Sequence, residues 1–235
     1  MEVVIRHLSL MPLADWLGIL LFFGGWVGYA RFAKRHAQRA GSLLALTNAV
    51  RRRWMLQLTY RDVRVLDGTV SHSLLSSPSF FASTTILIIG GLLAALGAGE
   101  RTSALVRELP FTVDTSTVVF DLKLVLLAGV FVYAFFRFTW SMRQYSFGSL
   151  LIASAPEAQQ FAEQNLSREA FADRAGAVVG LAAEAFNDGL RAYYLAFALV
   201  GWFFSPWVFM LASLGVIYVL YQREFHSDVL DALRD

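Results

Sequence analysis

The chain has 235 residues, 57% of them hydrophobic and only 16% charged, with a formal net charge of +2. A soluble domain carries about a quarter charged residues, so the composition argues against a soluble fold, and so small a net charge gives no case for nucleic-acid binding. The absence of cysteine removes disulfides, thiolate catalysis and cysteine metal sites together.

A membrane-crossing helix needs about 20 mostly apolar residues, and the first such segment covers 13–32. Glu2 and Asp15 precede its apolar run and "RFAKRHAQR" follows it, the flanks of a retained anchor rather than a signal peptide. Gly24 and Gly28 form a small-xxx-small pair suited to close helix contact.

From Arg31 to Pro78 the chain is polar and basic, with nine Lys/Arg facing Asp62 and Asp67. Helix is expected over about 40–76. In "RRRWMLQLTYRDVRVLD", Val50, Trp54, Leu58 and Leu66 make one helical stripe, and Asp62 falls within it. The pattern predicts a buried carboxylate at Asp62 with an arginine partner, either a ligand site or a structural tie between helices. Arg51, Arg52 and Arg53 are expected to touch anionic lipid headgroups, at about 1 kcal/mol each near the surface.

The second membrane segment is read at 78–98, with Ser77 as N-cap and Pro78 in the first turn. Residues 99–117 carry two arginines and three acids. Charge bias then puts the basic region in the cytoplasm, and this loop and the N-terminus outside. The third segment, 118–138, contains Asp121, Lys123 and Arg137. On a helical wheel Lys123 and Arg137 project within about 40° of each other, with Leu127, Val130, Ala134 and Ser141 on the same face. Lys123, Val130, Ala134 and Arg137 are therefore candidates for lining a path for small anions. The simpler reading is that both cations snorkel to the headgroups as anchors.

A second cytoplasmic helical segment is expected over 148–189, where Phe171, Ala175, Val178, Ala182 and Phe186 form a stripe that runs unbroken into the membrane at Leu190. The apolar region 192–221 is too long for one crossing, since 30 residues of helix measure about 45 Å. In its middle lies "WFFSPW", where Ser205 and Pro206 repeat the cap-and-first-turn signal. Trp202 and Trp207 favour a water interface. A hairpin of 190–204 and 206–222 accounts for all three features and leaves the C-terminus in the cytoplasm.

Chemistry-bearing motifs are sparse. His7, His36, His72 and His226 share no ligand spacing, no glycine-rich phosphate loop occurs, and no base pairs with the serines of "SHSLLSSPS". No catalytic residue, metal or cofactor is expected, and the chain does not read as an enzyme.

"FFASTTILIIGGLL", "DLKLVLLAGVFVYAFFRFTWSMRQYSF", "NDGLRAYYLAFALVGWFFSPW" and "YVLYQREF" resemble the family known as domain of unknown function 599. The resemblance covers about Leu13 to Phe225 and implies a small multi-pass membrane protein, with no site residues to transfer. Usage rich in Ala, Leu and Arg suits a bacterial inner membrane.

The expected fold is thus a single all-α polytopic domain over 1–235, with three spans, a C-terminal hairpin and cytoplasmic helical extensions. Two function classes stay open. One is an oligomeric channel or transporter for small anions or anionic solutes. The other is a structural or regulatory membrane protein that works through a second copy or another membrane protein. In this cysteine-free chain, a cysteine at Ser205 should react with an impermeant external reagent and one at Asp235 should not. External labelling at Asp235 would rule out the hairpin.

Overall fold

The computed structural model describes residues 11–37, 41–98 and 116–233. All regular structure among these residues is helical: α1 (Leu13–Ala37), α2 (Leu43–Leu58), α3 (Val65–Gly97), α4 (Thr117–Ala153), α5 (Ala158–Glu163), α6 (Arg168–Val200), a 3-10 turn (Gly201–Phe203), α7 (Pro206–Phe225) and α8 (Asp228–Ala232). The helices α1, α3, α4 and the one that starts at Pro206 are long and apolar enough to cross a membrane. The protein is an all-α polytopic membrane protein. The loop expected outside, 99–117, lies outside the described residues up to position 115, as does His7.

The helix ends follow local chemistry. Ser42 caps α2, its hydroxyl accepting from the Ala45 N–H at 3.1 Å. Asn165 closes α5 in the left-handed region at φ 50°. The N–H of Asn165 and of Leu166 return to the carbonyls of Ala162 and Phe161, satisfying groups the helix end leaves open. Ser205 caps α7 as expected, accepting from the N–H of Trp207 at 3.1 Å and of Val208 at 3.2 Å. The segment before it differs from expectation. Residues 190–204 continue α6 through Leu190, as expected, and end in the 3-10 turn, but they are not a separate helix: among the described residues four helices, not five, are of membrane-crossing length and apolarity. Trp202 is fully buried against the protein, while Trp207 is exposed.

A second expectation also changes. Pro78 does not open a helix but lies inside α3, which starts at Val65. Leu74 and Leu75 pack on an apolar core there, and the hydroxyls of Ser71 and Ser76 donate back to the Asp67 and Ser73 carbonyls. Packing of the preceding turns outweighs the local stop signal.

The chain forms two compact units. The apolar one comprises Met1–Arg35, Thr84–Ala134 and Leu190–Gln222. Within it α1 packs on α7. A Cβ at Gly18 would stand 2.9 Å from the Phe209 ring, and one at Gly25 would stand 2.6 Å from Ile217 Cδ1. The glycines predicted for close contact, Gly24 and Gly28, instead face open space. Phe22, Trp202 and Phe209 form the centre, with the Trp202 and Phe209 rings stacked at 5.2 Å. Lys123, Leu127, Val130 and Ala134 are all buried, so that this face of α4 turns into the unit.

The other unit comprises His36–Ser83, Phe135–Gly189 and Arg223–Asp235. Its core gathers Met55 and Leu58 of α2, Tyr145 and Ile152 of α4, and Phe171, Ala175, Val179 and Ala182 of α6. Small residues on α6 let its neighbours approach closely. A Cβ at Gly176 would stand 3.1 Å from the Arg52 Cα, and one at Gly148 of α4 would stand 2.9 Å from Val179. At Gly189 a Cβ would overlap the ring of Phe138, which is itself fully buried and has nowhere to move. Gly189→Ala should therefore lower thermal stability in detergent by about 1–3 kcal/mol, despite the better helix propensity of alanine. An unchanged unfolding midpoint would show that Phe138 can repack.

Candidate functional site: charges inside the helical units

In the apolar unit the charges meet at the end of α6. That helix stops at Val200, and the carbonyls of its last turn lack intrahelical partners. Lys123 of α4, 2% exposed, sends its ammonium to the Trp202 carbonyl at 2.9 Å. The same Nζ lies 5.2 Å from the centre of the Trp202 ring and 5.8 Å from that of Phe203. A cation at a helix C-terminus meets the negative end of the backbone dipole, and indole and phenyl faces add to that attraction. The Trp202 indole N–H donates to Asp15 Oδ1 at 2.5 Å, and Asp15 in turn attracts Lys123 electrostatically. Asp15, Lys123 and Trp202 thus form one buried knot between α1, α4 and the 3-10 turn.

This geometry corrects the snorkelling expectation for Lys123. The α6 end offers it an acceptor inside the unit, so the side chain turns inward. Val130 and Ala134 are buried beneath it on the same helix. Arg191 is also buried, its guanidinium 5.6 Å from the Tyr29 ring centre. Asp121, two residues before Lys123, keeps a buried Oδ1 with no hydrogen-bond partner among the described residues.

In the other unit Arg137 pairs with Asp188 at 2.5 Å, and the fully buried Ser141 hydroxyl donates to the Ala182 carbonyl at 2.7 Å. Arg137 therefore belongs to a tie between α4 and α6. The structure does not bring it to the Lys123 knot.

The predicted buried carboxylate is at a different position. Asp62 is exposed, because α2 ends at Leu58 and the stripe that passed through it has no helix to carry it. When helix resumes at Val65 the register places Asp67 inside, fully buried, and Leu66 outside. Asp67 Oδ1 accepts from the Trp54 indole at 2.7 Å and from Arg61 at 3.0 Å. Its Oδ2 is buried with no hydrogen-bond partner among the described residues. Two further arginines hold backbone carbonyls. Arg64 donates to those of Ala155 and Pro156 just past the end of α4. Arg168 donates to those of Thr59 and Ala158 while its guanidinium lies over the Tyr60 and Phe161 rings.

The arginine triplet divides in three directions. Arg52 pairs with Asp173 of α6, and this hydrogen bond and charge hold the guanidinium above its usual pKa. Arg53 is exposed. Arg51 is partly buried and donates from Nη1 to Thr47 Oγ1 at 3.1 Å and Asn48 Oδ1 at 2.8 Å.

Asp15, Asp67, Asp188 and Trp202 are central here and were missed as site residues in the sequence. Asp15 figured there only as evidence against a signal peptide. The useful signal for Asp188 is its spacing from Arg191 in "NDGLRAYYL", three residues apart on one helical face. Among the described residues no group of three or more His, Asp or Glu could hold a metal.

Asp67→Ala should destabilise the protein by about 1–3 kcal/mol, because it strands the part-buried Trp54 N–H and removes the partner of Arg61. Asp62→Ala should stay within about 0.5 kcal/mol of the parent. Thermal unfolding of both variants in one detergent checks the pair, and equal midpoints would refute the assignment.

No curated protein and no solved structure matches the chain. The sequence model of the family described as "Protein of unknown function, DUF599" matches residues 17–229. Since the match covers most of the chain, including the Trp202 turn and the Asp67 cluster, the chain belongs to that family.

Proposed function

We propose that the protein is a non-enzymatic structural or regulatory component of the membrane, working through contact with a second copy or with another membrane protein. What carries the reading is the fate of Lys123. An ion path needs cations that face its lumen. This ammonium instead donates to the Trp202 carbonyl with the side chain almost wholly buried. Arg137 is likewise paired with Asp188. Charges that end on the protein's own groups act as ties that set helix positions.

Under this reading the basic segment between α1 and α3 faces the cytoplasm, with the N-terminus outside and the C-terminus inside, in a bacterial inner membrane. Arg53, exposed and outside the Arg52–Asp173 pair, meets anionic headgroups. The competing reading, passage of small anions along Lys123, Val130, Ala134 and Arg137, is separable by experiment. The purified chain in proteoliposomes should be electrically silent, and Val130→Ser should leave it so, while the native protein should co-purify with a fixed partner or as a defined oligomer. Anion-selective flux that rises in Val130→Ser, where a polar group would ease wetting of an apolar constriction, would overturn the proposal in favour of conduction.

A further inference from the structure

A cavity of about 390 Å³ opens in the polar unit where the end of α4, α5 and the start of α6 meet. Its apolar lining includes Leu151, Pro156, Phe161, Phe171 and Ala175. Phe161, Phe171 and Ala175 are buried, whereas Ser154, Ser167 and Arg174, which also line it, are exposed. The floor is therefore apolar and the polar groups stand at the mouth. Arg174 is the one charged residue of the lining. Sites for small molecules have this make-up: about 300–1,000 Å³, mostly apolar walls, and a few polar groups that fix orientation.

The walls are held before any ligand arrives. Asn165, in the left-handed region, turns the chain back after α5, and the Leu166 N–H donates to the Phe161 carbonyl at 3.0 Å. Across that turn the Phe161 ring meets Phe171 edge to face, with centroids 6.0 Å apart. The Arg168 guanidinium also lies 4.8 Å from the Phe161 ring centre while it donates to the Thr59 and Ala158 carbonyls. Phe161 is thus pinned by two neighbours and does not swing into the space beside it.

Arg174 supplies the charge at the mouth. Its Nε donates to the Ala170 carbonyl on its own helix at 3.4 Å, and its Nη1 and Nη2 bond to nothing among the described residues. The positions three and four residues away on α6 hold Ala170, Phe171, Ala177 and Val178, so no acid of its own helix faces it. Asp173 is paired with Arg52, and Glu169 accepts from the Ser167 hydroxyl at 3.3 Å. The Ser154 hydroxyl donates to the Leu151 carbonyl at 3.3 Å, and Ser167 accepts from the Ala170 N–H at 3.1 Å. The serines are thus turned to the chain itself, and the free donors at the mouth belong to Arg174. An exposed guanidinium needs no partner, since water serves it. What distinguishes this one is its place on the rim of a preformed apolar cavity.

We propose that the cavity binds a small amphipathic anion: a compact apolar body against Phe161 and Phe171, with one carboxylate or comparable oxyanion received by Arg174. The guanidinium fork matches two oxygens of such a group. The volume lies near the lower end of the range for ligand sites, which suits a compact molecule and not a two-chain membrane lipid. The site is independent of the partner contact proposed above.

The test is equilibrium dialysis of 2-naphthoate against the full purified chain in phosphatidylcholine nanodiscs, with empty nanodiscs subtracted. The parent should bind 2-naphthoate saturably and equimolarly. Arg174→Gln should weaken that binding by about tenfold or more, and Arg53→Gln, an exposed arginine on α2 away from the cavity, should leave it intact. The neutral 2-naphthalenemethanol should bind the parent more weakly than 2-naphthoate, and Arg174→Gln should not weaken it further. Ala170→Trp, which puts a large ring at the mouth from an exposed position, should abolish binding of both probes. No saturable binding to the parent would overturn the proposal, as would equal losses in Arg174→Gln and Arg53→Gln, the mark of diffuse surface attraction. Parent-like binding in Ala170→Trp would place the probe elsewhere and refute the site. If Ala170→Trp does not assemble, Arg174→Gln decides alone, because it alters only an exposed side chain. A parent that takes up no 2-naphthoate but loses a co-purifying protein in Ala170→Trp would give the cavity to a partner's side chain and also refute the proposal.

Discussion

Lys123 carries an ammonium into the interior of the apolar unit, and the end of α6 is what makes this tolerable. A lysine there without acceptors would be too costly to remain charged. Because α6 stops at Val200 and turns through Gly201–Phe203, a carbonyl and two aromatic faces become available at that depth. The Trp202 ring, fully buried and stacked on Phe209, also gives its N–H to Asp15. One residue thus meets the cation of α4, the acid of α1 and the core of α7. The positions of four helices in that unit depend on this turn.

The polar unit applies the same rule with different acceptors. Its loops would leave carbonyls open near the ends of α2 and α4, and arginines close them: Arg64 at Ala155 and Pro156, Arg168 at Thr59 and Ala158. Guanidinium suits this role because its planar fork can serve two acceptors at once. Asp67 performs the reverse task, receiving an indole and a guanidinium on one oxygen. Between these polar ties the helices meet through small residues such as Gly148 and Gly176, which bring backbones close enough for side chains of the next helix to interlock.

For function, the consequence is that intramembrane charge here does not by itself mark a pathway. Lys123, Arg137 and Arg191 all lie in or beside apolar helices, a pattern that ordinarily points to transport. Each nevertheless meets a group of the chain itself: a carbonyl, a carboxylate and an aromatic ring. Large exposed apolar side chains such as Leu87, Phe136 and Leu211 lie on the crossing helices, where lipid or another helix is the natural neighbour.

Much of this protein was legible in the sequence, because length and hydropathy are local properties. Four of the five expected membrane segments fall on long apolar helices, and the Ser205–Pro206 cap, the continuity of the helix through Leu190 and the shared face of Lys123, Val130 and Ala134 follow from period and composition alone. The side to which a charge turns is not local. Asp62 and Asp67 look equivalent in the sequence, and only the helix break after Leu58 decides that Asp67 is the one inside. Pro78 reads as a start until the packing of Leu74 and Leu75 carries the helix past it. Lys123 reads as an anchor until a carbonyl from residue 202 is brought to its ammonium. Sequence determines which segments leave water. Only tertiary contacts determine which polar groups meet once they have done so, since an unpaired group costs several kcal/mol in an apolar medium and its partner lies far along the chain.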